Sequence, residues 1–481
     1  MNVKFVVRVL GFIVLVSTGV MILPLIVALH EGTSDKVAFA MSVTAGMICG
    51  IMMLKMTRNS NMAGGIREGI CITVFSWVIV SMLGALPYSL SCGVSYTDAF
   101  FEAMSGFTTT GATIFTDIEA LPDGILLWRS LTHLMGGMGI IVLSLAVLPF
   151  LGVSGMEMYK AEVPGVTAGK VTPRLHQTAL RLWVIYIMLA LVETVLLKMG
   201  GMTLFDAFCH SCSTLATGGF STKNNSIAYY HSAYIQWVII VFMFLSGINF
   251  SLYFLIPKKK LREIFSDDEL RGYIRVITFS VIGIMTSLYV TGHLEGIEYI
   301  LRHSCFTVVS VITTTGFVTE DFDKWPQLAR VIIILLMFSG ACGGSTGGGC
   351  KVSRFQIMYR ELKSEAMRLL HPRAVITPSM NGQPLTQDTI NSSTAFFALY
   401  MIMLCIGTLI MSSFGIEVLT SFTGVLTCLS NVGPGLDYLG AQENFAWLPG
   451  ALKWLLSFLM LAGRLELFAV ILLLMPGTYK R

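Results

Sequence analysis

Charge is scarce in this sequence. Asp, Glu, Lys and Arg make up 12% of its 481 residues, about half the share of a soluble domain. Beside 54% hydrophobic residues, so few charges exclude a water-soluble surface and leave an all-α polytopic membrane protein. The two signs nearly cancel, at net +4, and the basic residues are spread among loops, which excludes a nucleic-acid partner. Disulfide spacing is also missing. Most of the 10 cysteines lie inside apolar runs, among them Cys49, Cys71, Cys405 and Cys428, where they read as small buried hydrophobes. No nucleophile and base fall in register on facing spans, so the chain is expected not to be an enzyme and to hold no covalently bound cofactor. The stretch from Lys4 to Leu29 resembles a signal sequence but lacks a small-residue cleavage site. Its apolar run is long enough to span, and it reads as an uncleaved first helix.

What is present is a set of ten apolar runs, near 9–29, 37–54, 70–90, 127–150, 178–198, 233–256, 274–292, 327–350, 391–413 and 447–475. The gaps between them alternate in character. One set is basic: Lys55 and Arg58, Lys160 to Arg174, Lys258 to Arg262, Arg271 and Arg275, Lys351 to Arg373, Lys480 and Arg481. The other set is acidic, with Asp98, Asp117, Glu119, Glu320, Asp321, Asp323, Asp437 and Glu443. The positive-inside rule places the basic gaps and both termini in the cytoplasm.

Four outer gaps each hold a semi-apolar stretch ending in glycine: "DAFFEAMSGFTTTGAT", "FDAFCHSCSTLATGGFS", "ILRHSCFTVVSVITTTGFVT" and "VLTSFTGVLTCLSNVGPG". They are too short to cross a bilayer at 1.5 Å per residue and read as half-helices that dip in and return. With Gly111, Gly218, Gly316 and Gly433 as the marker glycines, Ser105, Cys212, Ser310 and Thr427 fall six residues earlier in each. That phase indicates four repeated helix–half-helix–loop–helix units around one axis: 70–176, 177–273, 274–385 and 386–481, after an N-terminal two-helix hairpin at 1–69.

Irregular backbone at membrane depth is tolerated only inside protein or along a watery cavity. Glycine permits the dihedrals that turn carbonyl oxygens inward, and a carbonyl ring replaces the water around a dehydrated monovalent cation. No charged side chain lies in "TTTGAT", "ATGGFS", "TTTGFV" or "NVGPG", which argues against Ca²⁺ or Mg²⁺.

These four loops resemble those of the Trk/Ktr/HKT superfamily of potassium transporters, and the extra hairpin and length are most similar to its bacterial TrkH/TrkG branch. The resemblance covers essentially the whole chain. It implies K⁺ uptake across a bacterial inner membrane through a one-subunit filter formed by Thr109, Thr110, Gly111, Ala216, Thr217, Gly218, Thr314, Thr315, Gly316, Asn431, Val432 and Gly433. Asn431-Val432 stands where the other loops have a Thr pair or Ala-Thr, so the ring is not four-fold symmetric. The resemblance also implies a homodimer, and a cytosolic nucleotide-binding regulatory subunit of the TrkA type; any nucleotide would act only through that partner. The expected mode is symport, with H⁺ or Na⁺ left open as the coupled ion.

The third unit reads "LLMFSGACGGSTGGGCKVSR", with six glycines from Gly340 to Gly349. Each costs a helix about 1 kcal/mol relative to alanine, so the segment is expected to leave helix in mid-span. A phosphate-binding loop needs Gly before and Ser or Thr after its lysine; Cys350 and Val352 flank Lys351 instead. Tight packing through small residues is the plain alternative. The resemblance implies an intramembrane gating loop, with Gly343, Gly344, Gly347, Gly348 and Gly349 at its heart. Arg464 lies in mid-span, where a charge is costly unless it faces the interior. Loop carbonyls near 343–349 are its expected partners rather than Glu466, and the resemblance makes it a positive barrier beside the loop.

Other features admit plainer readings. Cys209-His210-Ser211-Cys212 lacks further zinc ligands nearby and reads as half-helix packing. His133 reads as packing or a helix-end contact. Asp98 and Asp206 suit half-helix N-termini. The amphipathic stretch from Lys351 to Arg373 reads equally as an interfacial helix beside anionic lipid or as a docking surface. A secondary transporter coupling H⁺ or Na⁺ to a small solute is the alternative, but it calls for unwound spans rather than four re-entrant loops.

Overall fold

Backbone polar groups have no water to bond to inside a bilayer, so a chain this apolar satisfies them within helices. The computed structural model of the protein describes residues 1–58, 65–139, 175–292, 296–374 and 376–475. Among these, strand is confined to a two-residue hairpin, Ser379–Met380 with Gln383–Pro384. The cytoplasmic gap expected at 160–174 and the second half of the run at 127–150 lie outside the described residues.

Among the described residues, six helices are long and apolar enough to cross a membrane: Val3–Glu31, Asp35–Met56, Arg67–Cys92, Ala179–Met199, Asp268–Thr291 and Gln387–Ser413. The first two form the N-terminal hairpin. They approach closely because Gly11, Gly46 and Gly50 present no side chain at the crossing: a Cβ on Gly11 would lie 2.8 Å from that of Met53, and one on Gly50 3.1 Å from the Gly11 carbonyl oxygen.

The other four long helices each lead into a half-helix: Tyr96–Phe107, Leu204–Ala216, Ile297–Ile312 and Val418–Ser430. Two of these begin on a hydroxyl cap. Ser95 Oγ accepts from Asp98 N (3.2 Å) and Thr203 Oγ1 from Asp206 N (3.0 Å), which places both aspartates in a first turn, where a carboxylate suits the helix dipole.

After each half-helix the chain returns through an exit helix, and here the expected spans need correction. The exit helices are Asp123–Gly137, Ala233–Ser246, Gln327–Phe338 and Gly450–Arg464. At 12–15 residues they reach only about 18–22 Å, short of a bilayer core of about 30 Å. A break was expected in the third unit alone. Every exit helix stops instead, followed by Gly139 at φ 68°, by Gly247–Asn249, by Ser339–Cys350, and by Glu466 and Leu467 at φ 55° and 60°. Hydropathy runs unbroken through these points, so it does not mark them. Packing does: a Cβ on Gly136 would strike the Phe107 carbonyl, and one on Gly463 the Leu429 carbonyl. Exit helices one and four therefore end pressed against the ends of half-helices one and four.

Candidate functional site

Each half-helix ends in the same way. One residue turns left-handed: Thr109, Thr217, Thr314 and Asn431, at φ 52°, 54°, 60° and 57°. The next amide returns to the carbonyl five residues back: Thr110 N to Ser105 O (2.8 Å), Gly218 N to Ser213 O, Thr315 N to Ser310 O and Val432 N to Thr427 O (2.9 Å each). A glycine at positive φ follows: Gly111 (83°), Gly219 (84°), Gly316 (75°) and Gly433 (103°).

This geometry corrects the second loop by one residue. The marker glycine is Gly219 rather than Gly218, and its partner six residues earlier is Ser213 rather than Cys212. Ala216 is the last residue of its half-helix and not part of the loop. "ATGGFS" offers two adjacent glycines, and only the backbone shows which one takes positive φ. In the corrected register Asp98, Asp206, His303 and Thr420 all stand 13 residues before their glycines. The last three hold the chain beyond their loops: Asp206 Oδ1 accepts from Thr222 Oγ1 (2.6 Å), His303 Nδ1 meets Thr319 Oγ1 (2.9 Å) and Thr420 Oγ1 donates to Asp437 Oδ2 (2.5 Å).

The four loops close on one another. A Cβ on Gly111 would strike the Gly218 carbonyl, one on Gly219 the Thr315 carbonyl, and one on Gly316 the Val432 carbonyl; one on Gly433 would lie 2.7 Å from the Thr110 carbonyl. Loop one thus meets two, two meets three, three meets four and four meets one. The carbonyls of Thr110, Gly218, Thr315 and Val432 form a continuous cycle, and the side chains of Thr110, Thr315 and Val432 are fully buried. Asn431 departs chemically but keeps the backbone shape. Its Nδ2 donates to Thr110 Oγ1 and to Met460 O, both at 2.9 Å, which ties loop four to loop one.

A family described as "TrkH: Cation transport protein" matches residues 36–477. The chain belongs to this family. Over the whole of both chains it is 36% identical to the Trk system potassium uptake protein TrkH of Salmonella typhimurium and to that of Escherichia coli K12. It is 35% identical to the Trk system potassium uptake protein TrkG of Escherichia coli K12, over 98% of each. The crystal structure of the potassium transporter TrkH from Vibrio parahaemolyticus superposes with a TM-score of 0.90 at 34% identity, covering all of both chains.

Behind the ring of this TrkH-family chain lie braces that sequence reasoning missed. Glu102, buried in the first half-helix, accepts from Ile114 N (2.9 Å), from Thr113 Oγ1 and from Arg129 Nε (2.9 Å). Arg129 also donates to Ser221 O (3.1 Å), and its guanidinium lies 4.1 Å over the Phe220 ring. The pair therefore joins loop one to loop two. A carboxylate in an apolar half-helix and an arginine early in the exit helix were the available signal. His133 is a packing residue: it stacks on Phe220 with ring centroids 4.2 Å apart, Nδ1 meets Ser213 Oγ at 3.1 Å, and a Cβ on Gly218 would collide with its ring. His210 bonds Ser221 Oγ and Asp206 O, while Cys209 and Cys212 are free and buried. Among the described residues no His, Cys, Asp and Glu cluster suits a metal ion.

Beneath the ring runs the glycine segment. Gly348 N donates to Thr314 Oγ1 at 2.7 Å, and a Cβ on Gly347 would lie 2.9 Å from Thr313 O. Gly343 N donates to Glu269 Oε1 (2.6 Å), and Gly344 O accepts from Phe250 N (3.0 Å). The segment is braced on its other side by Cys342 N to Gly247 O (3.1 Å), at the break in exit helix two. A Cβ on Gly349 would lie 3.2 Å from Gly340, so the two ends of the segment stand side by side. Arg464 finds three carbonyls: Thr346 O and Gly136 O at 2.7 Å and Gly137 O at 3.0 Å. It caps the orphaned end of exit helix one, where a cation suits the dipole. Glu466 pairs with Arg354 instead. Lys351, expected in a cytoplasmic gap, is buried and donates to Gly347 O.

In the acidic gaps, Asn224 Nδ2 donates to Asp117 at 3.0 Å and holds that exposed carboxyl below its usual range. Burial raises Asp323, which accepts from Asp437 N at 3.1 Å.

Proposed function

We propose that this chain takes up K⁺ across a bacterial inner membrane through the ring of loop carbonyls. The observation that carries the reading is the closed cycle of Thr110, Gly218, Thr315 and Val432, uncharged and held by one polypeptide. Carbonyl oxygens in such a ring replace the hydration shell of a monovalent cation. With no carboxylate in the ring, a divalent ion lacks the ligands it usually recruits. The relatives named for potassium uptake match the chain from end to end. A membrane potential contributes about 2.3 kcal/mol per charge per 100 mV, enough to drive K⁺ inward without bond chemistry.

In this reading the residues at the ring are Thr109 to Gly111, Thr217 to Gly219, Thr314 to Gly316 and Asn431 to Gly433. The segment from Gly343 to Gly349 is the gate, and Arg464 is its positive barrier. Both termini face the cytosol, and each half-helix enters with its loop from outside. The helix Val352–Leu370 follows the gate and carries, at the cytosolic face, the exposed Lys363 together with Arg360, paired to Asp268, and Arg368, paired to Glu361 and Glu365. That surface receives a cytosolic nucleotide-binding regulatory protein of the TrkA type, and the protein works as a homodimer.

The test is uptake of radioactive Rb⁺ into vesicles holding the purified chain. Excess K⁺ should abolish uptake, while Na⁺ competes weakly and Ca²⁺ not at all. Uptake no greater than in empty vesicles, or indifferent to excess K⁺, ends the reading.

A further inference from the structure

The glycine segment is held by two cations on consecutive carbonyls. Arg464 donates to Thr346 O at 2.7 Å, and Lys351 to Gly347 O. Arg464 belongs to the fourth unit. Lys351 closes the segment's own C-terminal end, one residue before the helix Val352–Leu370. We propose that Lys351 is a second positive barrier beneath the carbonyl ring, in addition to Arg464. The inference rests on the reading of that ring as the K⁺ path.

One peptide group fixes the position of the lysine. The Gly347 carbonyl takes the Lys351 ammonium, and the adjoining Gly348 amide donates to Thr314 Oγ1 at 2.7 Å. A peptide group is planar and rigid. The ammonium is therefore held at one end of a stiff plate whose other end is anchored to the ring residue Thr314. A Cβ on Gly348 would strike the Ser430 carbonyl and meet Asn431, so the same plate also abuts loop four.

The charge on Lys351 is not taken up by a direct ion pair among the described residues. Glu269, Glu466, Arg354 and Arg464 are the charged groups that face it. Glu466 pairs with Arg354. Glu269 Oε1 accepts from Gly343 N (2.6 Å) and Ser353 N (3.2 Å), clamping both flanks of the segment. Among the described residues the ammonium makes no ion pair, and one carbonyl takes one of its three donors. A buried positive charge without a paired acid repels a cation leaving the ring, and low dielectric strengthens that repulsion.

The two barriers differ in what they ride on. Arg464 stays with exit helix four when the segment moves, whereas Lys351 travels with the segment. Withdrawing the segment toward the cytosol removes the lysine from the path and releases the Gly347 carbonyl in the same motion.

The test uses the full chain in vesicles and planar bilayers, comparing Lys351→Met, Lys351→Arg and the double variant with Arg464→Ala. Lys351→Met should raise basal Rb⁺ flux severalfold and change the rectification of the K⁺ current, because a fixed charge in the field shapes the current–voltage curve. Lys351→Arg should stay near wild type, and the double variant should exceed either single change. A methionine variant with wild-type flux and curve shape, or one indistinguishable from the arginine variant, overturns the proposal. Should the methionine variant fail to fold, Lys351→Gln is read by the same two measurements. If Arg464→Ala raises flux while Lys351→Met does not, this inference falls alone. Absence of any K⁺-selective flux in the wild type removes the reading beneath it.

Discussion

The hydroxyl of Thr314 accepts a hydrogen bond from the amide of Gly348 at 2.7 Å. One residue stands at the end of a half-helix and the other in the glycine segment, so this bond joins the ring to the structure below it. Thr314→Val keeps the shape and removes the acceptor, which strands a buried N–H at a cost of about 1–3 kcal/mol. The expected result is a folded protein with raised basal Rb⁺ flux, while Thr314→Ser behaves as wild type. Equal fluxes in the two variants would show that the bond does not hold the segment.

Two neighbouring glycines in the second loop separate backbone strain from side-chain collision. A Cβ on Gly218 meets the His133 ring, whereas one on Gly219 meets the Thr315 carbonyl at φ 84°. Both alanine variants should impair uptake. Adding His133→Ala should restore Gly218→Ala in part and leave Gly219→Ala impaired, since no side-chain change frees a backbone carbonyl or relieves positive φ. Rescue of both would contradict the register that puts Gly219 at positive φ.

Ion choice is tested most directly at Gly316, where φ is 75° and a Cβ would strike the Val432 carbonyl. Gly316→Ser pushes apart two of the four loops and should lower the ratio of Rb⁺ to Na⁺ uptake by about tenfold, equivalent to about 1.4 kcal/mol. An unchanged ratio in paired flux assays would count against the ring as the selecting element.

The half-helices were legible because composition and spacing repeat four times in the chain. A semi-apolar stretch too short to span, ending in glycine, needs no tertiary information. The one-residue shift at Gly219 was not legible, because "TGG" presents two chemically identical candidates and only the left-handed turn at Thr217 chooses between them. The breaks after Gly137, Ser246 and Arg464 were hidden for another reason: hydropathy reports apolar composition, and the sequence stays apolar through each break. Arg464 was found from charge alone. Its contact with Thr346 falls within the stretch expected from sequence, but its bonds to Gly136 and Gly137 cross more than 300 residues and exist only in the assembled fold. Lys351 was misplaced because a lysine after a glycine run looks like the first residue of a cytoplasmic loop.

Arg464 provides a graded test of the proposed gate. Alanine removes three hydrogen bonds and the charge, and basal flux should rise. Lysine keeps the charge but not the planar fork that reaches Thr346, Gly136 and Gly137 together. Its flux should fall between wild type and alanine. A decrease in the alanine variant would remove Arg464 from the gate.

The Glu102–Arg129 pair is buried at the seam between loops one and two, so breaking it should cost stability and ion choice together. Removing one partner of a buried pair costs about 3–5 kcal/mol, because the other charge is left without compensation. Glu102→Ala should therefore lower the thermal midpoint in detergent markedly. Arg129→Met should do so too, and it additionally frees Ser221 O, two residues beyond Gly219. The double variant should recover part of the lost stability, since no unpaired charge remains. It should not recover the Rb⁺ to Na⁺ ratio, because the bond from Arg129 to loop two is still missing. If selectivity returned along with stability, the pair would serve the packing of the half-helix only, and the alignment of loop two would have to be carried by His133 and Phe220.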